Sequence, residues 1–159
     1  MLIIRADDYE TLRKDGEQTY PHECCGVLLG LINGDERQVA QIVRCRNIRD
    51  DRAEDRYQID PAELLAAQRV ARTQGLEIVG FYHSHPDHPA QWSTTDFAEA
   101  HWLGCSYVIT SVEHGKATRT HAFVLRGESE EDKRFEAEHL GVVAGPAIPR
   151  REEQSPCSI

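Results

Sequence analysis

The stretch "LEIVGFYHSHPDHPAQWSTTDFAEA" (residues 76–100) changes character twice along its length. It opens as an apolar run rich in branched and aromatic residues, the composition of a buried strand. Three histidines follow within six positions: His83, His85 and His88. It closes with Ser93-Thr94-Thr95-Asp96, a capping box that predicts a helix over "TTDFAEAHWL". His83 and His85 lie just beyond the predicted strand "IVGFY". In extended backbone they point to one face with ~6–7 Å of rise between them. Two imidazoles on one face can converge on a single ion, and Asp96 can fold back over the loop to supply a third ligand. Imidazole plus carboxylate suits zinc with an open position for water. A plainer reading stands beside this one. A lone histidine is usually structural, and Ser93 and Asp96 can cap a helix whatever the histidines do.

The flanking sequence builds an α/β pattern. Upstream, Asp60-Pro61-Ala62-Glu63 combines an Asp cap, proline at the first helical position and Glu three residues past the cap. That helix is expected to stop near Gly75. "RYQI" is expected to form a strand. "CCGVLLGLI" and "QVAQIV" flank Asn33-Gly34, a strong hairpin signal. "LIIRA" reads as a first strand, followed by a helix over "DDYETLRKDGEQTY" with an Asp cap. Downstream, "SYVITSV" and "TRTHAFVL" are strands joined through Glu113-His114-Gly115-Lys116. The acidic run "GESEEDKRFEAEHL" is expected to begin a last short helix. The expected fold is a single α/β domain over residues 1–143, a mixed β-sheet flanked by helices, with a flexible tail over 144–159.

Composition bounds the function. With 159 residues, 40% of them hydrophobic and 28% charged, the chain fits one globular domain with a real core. A net charge of −9 disfavours nucleic acid and anionic membranes as partners. Arginines cluster in "RCRNIRDDRAEDR" but alternate with acids, as in a solvated charged loop. The longest apolar run is far short of a membrane span, and the first residues lack the pattern of a secretory signal. A cytoplasmic protein is expected. Five cysteines, two of them adjacent, argue against a disulfide framework, and no Cys-x-x-Cys pair supports a thiolate zinc site.

The spacing His-Ser-His-Pro, seven residues between His85 and Ser93, then Ser-x-x-Asp resembles the signature of the JAMM (Jab/MPN-domain) metalloproteases. An upstream glutamate completes the resemblance: Glu23 in "PHECCGVLLG" precedes the Cys-Gly-x-Leu-x-Gly pattern of small prokaryotic members. The match in element order runs from about residue 1 to 140. It implies the cytidine-deaminase-like JAMM/MPN fold, and one Zn2+ per chain held by His83, His85 and Asp96. It also implies Glu23 as general base and Ser93 as a donor to the oxyanion. Each role suits its chemistry. Zinc acidifies water, a carboxylate shuttles the proton, and a hydroxyl stabilises developing negative charge.

The resemblance further implies a zinc isopeptidase or peptidase acting at the C terminus of a ubiquitin-like or sulfur-carrier protein with a Gly-Gly tail. A non-catalytic MPN scaffold is the competing class, and the complete set Glu23, His83, His85, Ser93 and Asp96 argues against it. A zinc amidase for small molecules is a second alternative. A nucleobase deaminase would need His-x-Glu and Pro-Cys-x-x-Cys, which the chain lacks. His22 and His88 are expected to face solvent. At least one of Cys24 and Cys25 is expected in the core. Trp92 is expected either to wall the cleft or to pack beneath its loop.

Overall fold

In the computed structural model, residues 1–145 are described. The hairpin predicted at Asn33-Gly34 is present. β2 (Cys25–Asn33) and β3 (Glu36–Cys45) pair antiparallel, and Gly34 takes the left-handed conformation (φ 61°) that the turn requires. Before them come β1 (Leu2–Arg5) and α1 (Ala6–Thr19). After them come α2 (Pro61–Gln74), β4 (Glu77–Pro86), α3 (Thr94–Glu99), β5 (Ser106–Glu113), β6 (Lys116–Arg126), β7 (Arg134–Glu138) and β8 (Leu140–Val143). The strands form one eight-stranded sheet in the order β7-β6-β5-β4-β2-β3-β1-β8. The sheet is mixed: β4–β5, β1–β3 and β1–β8 are parallel and the remaining pairs antiparallel.

Helices cover both faces of the sheet. Leu12 of α1 packs with Leu28, Val79, Tyr82 and Val108, while Ala67 and Ala71 of α2 pack with Val27, Leu29 and Phe81. Alternation along β2 separates the two cores. α2 starts as expected. Asp60 Oδ1 accepts the Ala62 N–H at 2.9 Å, proline opens the helix, and Gly75 closes it at φ 66°. No helix among the described residues is long and apolar enough to cross a membrane.

Five expectations are corrected. α1 begins at Ala6, directly after β1, with no side-chain cap. Asp7 and Asp8 lie in its first turn, where the helix dipole favours negative charge. α3 ends at Glu99, because Lys133 Nζ donates to the Ala100 carbonyl at 2.8 Å and the chain turns to lay Trp102 against Phe81. "RYQI" contributes only an isolated bridge, Asn47 to Ile59. β4 runs on through the histidines to Pro86, because β5 pairs with it as far as Val112. The acidic run forms turns and then β7 instead of a helix, and reaches only the first residue of β8. β7 pairs with the edge of β6, Phe135 enters an aromatic cluster with Tyr107 and Trp92, and Glu138 pairs with buried Arg37. The expected flexible tail, with Cys157, lies outside the described residues from residue 146 onward.

Candidate metal centre

β4 brings the two histidines together. Strand alternation aims His83 and His85 to one side and Ser84 to the other, where its Oγ accepts the Cys24 N–H at 2.9 Å. His83 is 2% exposed and His85 7%, and their Nε2 atoms lie 3.1 Å apart. Asp96 comes from the first turn of α3. Its Oδ1 is 3.3 Å from His83 Nε2 and its Oδ2 3.3 Å from His85 Nε2. The predicted capping box fixes that turn, with Ser93 N donating to Asp96 Oδ2 at 2.6 Å and Asp96 N donating to Ser93 Oγ at 3.1 Å. Asp96 therefore caps a helix and faces the histidines at once.

The donor set fits a metal ion. His85 Nδ1 lies 2.9 Å from the Pro89 carbonyl, which can only accept, so Nδ1 carries a proton and the Nε2 lone pair is free to face Asp96 and His83. The two Nε2 atoms are close enough to share one ion. Bonds of about 2.0–2.1 Å in a tetrahedron place ligand atoms about 3.3–3.4 Å apart, close to the spacings found here. Ligand atoms of His83, His85 and Asp96 all lie within 4.8 Å of one another. The cluster is capable of coordinating a metal ion.

Electrostatics agree with the geometry. Burial opposes ionisation of Asp96, yet His83, His85 and the Ser93 N–H together hold its carboxyl well below the usual range. Burial lowers His83. Burial also acts against His85, but Asp96 and the Pro89 carbonyl outweigh it and raise the group.

Glu23, just before β2, is 3% exposed. Its Oε1 lies 3.9 Å from His85 Nε2, and its Oε2 is buried without a hydrogen-bond partner. Burial pushes the carboxyl up to about 8, against the pull of His85. All five expected residues are thus placed: His83, His85, Asp96 and Glu23 converge, and Ser93 holds Asp96. Cys24 and Cys25 are both buried outside the cluster, and burial pushes the Cys24 thiol up to about 12. His22 and His88 are exposed. Trp92 packs on Phe97 and Phe135.

Two residues of the site escaped sequence reasoning. Tyr57 stacks on His83, with ring centroids 4.5 Å apart. Asn47 Nδ2 donates to the Glu23 carbonyl at 3.2 Å. Asn47 belongs to the stretch expected to be a solvated loop and Tyr57 to the expected strand "RYQI", and the only signal was an amide and an aromatic set among charges. Tyr57 also walls a cleft of about 360 Å³, together with Ile59, Leu64, Phe81, Trp102 and Tyr107.

Comparison with known proteins places this site in a family. The description "prokaryotic homologs of the JAB domain" matches residues 5–126. The chain belongs to that family. Among curated relatives, a desampylase of Haloferax volcanii is 39% identical over 93 residues, 57% of this chain and 63% of its own length. A probable TtuB-protein conjugate cleaving protease of Thermus thermophilus is 33% identical over 97 residues, 61% of each chain. The chain thus spans under two thirds of the length of these two relatives. A CysO-cysteine peptidase of Mycobacterium tuberculosis is 29% identical over 133 residues, 82% of this chain and 88% of that one. A solution structure from Desulfitobacterium hafniense superposes with a TM-score of 0.78 at 26% identity, covering 92% of this chain and 95% of its own. One from Salinibacter ruber gives 0.67 at 34% identity, covering 100% and 97%. The JAB fold and a cluster capable of coordinating a metal ion therefore occur together in this chain.

Proposed function

We propose that the chain is a zinc-dependent isopeptidase or peptidase that hydrolyses an amide bond at the C-terminal tail of a ubiquitin-like or sulfur-carrier protein. His83, His85 and Asp96 hold one zinc ion, Glu23 is the general base, and Ser93 serves the oxyanion. The catalytic domain in this reading is residues 1–143. The observation that carries it is the Glu23 carboxylate, buried beside a three-ligand cluster with one oxygen left without a partner.

A zinc ion held by His83, His85 and Asp96 would supply water of lowered pKa, about 7, and a Lewis acid for the carbonyl. The Glu23 carboxylate, buried beside His85 with one oxygen unpartnered, takes the proton of the attacking water and returns it to the leaving amine. Ser93 Oγ accepts from Asp96 N, so its own proton is free to donate to the developing oxyanion. Such a donor contributes ~2.7–4 kcal/mol.

The substrate class rests on the cleft and on the relatives. Tyr57 packs on His83 and also lines the cleft, so the cleft ends beside the cluster. A Gly-Gly tail, without Cβ atoms, can enter such a site as an extended strand. The names of the TtuB-protein conjugate protease and the CysO-cysteine peptidase support a protein conjugate as substrate. The test offers the zinc-loaded protein a panel of Gly-Gly-tailed carrier proteins joined at their C termini to amino acids or peptides. Mass spectrometry should show at least one carrier released with a free Gly-Gly carboxylate. Cleavage of small amides with every conjugate left intact would replace this reading with the amidase one.

A further inference from the structure

Segment 46–60, between β3 and α2, is built around one side chain. Asn47 Nδ2 donates to the Glu23 carbonyl (3.2 Å) and the Arg56 carbonyl (3.0 Å), while Oδ1 accepts from Arg49 N and Gln58 N at 3.0 Å each. A primary amide offers two donor hydrogens and two acceptor lone pairs, and all four are used. Ile48 N adds a bond to the Gln58 carbonyl at 3.0 Å, and Asn47 itself bridges Ile59. The segment is therefore folded back on Asn47 and is not a free charged loop.

Glu23 depends on this segment. It precedes β2, whose pairing with β4 begins at Cys25 opposite His83. Instead, Glu23 N donates to the Ala53 carbonyl at 2.6 Å, and the Glu23 carbonyl accepts from Asn47. Both backbone groups of the residue that carries the carboxylate thus end on segment 46–60. The same amide pins the residues on either side of Tyr57, Arg56 through its carbonyl and Gln58 through its N–H. Tyr57 in turn stacks on His83, whose Nδ1 has no hydrogen-bond partner. Asn47 joins Glu23 to the ring packed on a metal ligand.

We infer that Asn47 is a positioning residue: its carboxamide locks segment 46–60 so that Glu23 and the Tyr57 ring on His83 keep a fixed relation to the metal cluster. The inference rests on the reading of Glu23 as general base. An amide that only staples a loop would cost stability when changed and would not single out Glu23.

The experiment compares wild type with Asn47→Asp. That variant keeps two acceptor positions for Arg49 N and Gln58 N but loses both donors. It also turns a carboxylate oxygen toward the carbonyls of Glu23 and Arg56. Asn47→Ala serves as a second variant. Amide hydrogen exchange is read on zinc-loaded protein, with β2–β4 ladder amides as the internal reference. In Asn47→Asp the Glu23 amide should exchange at least about tenfold faster while the ladder amides hold and zinc stays at one per chain.

On whichever Gly-Gly conjugate the wild type cleaves, kcat should fall by about 10–10²-fold with KM within about twofold. In a Glu23→Gln background, Asn47→Asp should cost nothing further, because the two act as one unit. Unchanged Glu23 exchange overturns the inference, and so does a full additive loss in the Glu23→Gln background. Equal acceleration of every amide in both variants makes Asn47 an ordinary staple. If wild type cleaves no conjugate, the peptidase reading fails, and the exchange of the Glu23 amide alone decides whether Asn47 holds that residue.

Discussion

The capping role of Ser93 and its proposed role at the oxyanion are separable by substitution at this one position. Ser93 Oγ accepts the Asp96 N–H at 3.1 Å, while Asp96 Oδ2 is held by the Ser93 backbone N–H at 2.6 Å. A change of side chain removes the first bond and leaves the second, so Asp96 keeps its place beside the histidines. Ser93→Ala should therefore cost about 1 kcal/mol, the loss of an N-cap, and Ser93→Gly only a few tenths. Both variants should retain zinc. If the hydroxyl also serves the oxyanion, both should lose about 10²–10³ in kcat, equivalent to ~2.7–4 kcal/mol, and Ser93→Thr should recover much of it. Urea unfolding, metal analysis and steady-state kinetics on the same samples separate the two roles. A folded, zinc-loaded Ser93→Gly with near-normal kcat would leave Ser93 a helix cap alone.

Other consequences follow from the same structure. The Glu138 side chain is 2% exposed and faces the guanidinium of Arg37, with Ser106 Oγ donating to it at 2.6 Å. Glu138→Ala leaves Arg37 buried and unpaired and should cost about 3–5 kcal/mol in urea unfolding, whereas the double variant Arg37→Met, Glu138→Leu should recover most of it. A single-variant loss under about 1 kcal/mol would mean the pair is not buried as described. Zinc at about a thousand times its dissociation constant should add ~4 kcal/mol and raise the melting temperature by about 10 °C. His83→Ala and Asp96→Ala should lose that shift, and an undiminished shift in both would remove them as ligands.

Legibility in the sequence followed the range of the interactions. The start of α2 at Asp60-Pro61 and the turn at Asn33-Gly34 are local devices, and both formed where expected. His83, His85, Ser93 and Asp96 were legible for a similar reason, since strand alternation and a capping box lie within one short stretch. Glu23 was reached only through the family resemblance, because nothing nearby shows that it stands next to His85. β7 was missed because its strand character lies in its partners. Phe135 is the one large apolar residue of β7, and Glu138 finds Arg37 from 101 positions away. Asn47 and Tyr57 were hidden likewise, since Asn47 reaches Glu23 across 24 positions and Tyr57 meets His83 only in the folded chain.

The turnover of zinc-loaded Glu23→Gln, with metal content determined in the same sample, tests the central claim most directly. Glutamine nearly preserves the size of the side chain but cannot take up a proton at neutral pH. With Glu23 as general base, the variant should hold one zinc per chain, bind the conjugate as wild type does, and lose at least ~10²-fold in turnover. Loss of the zinc would make Glu23 a ligand, and wild-type turnover with the zinc in place would make it a bystander.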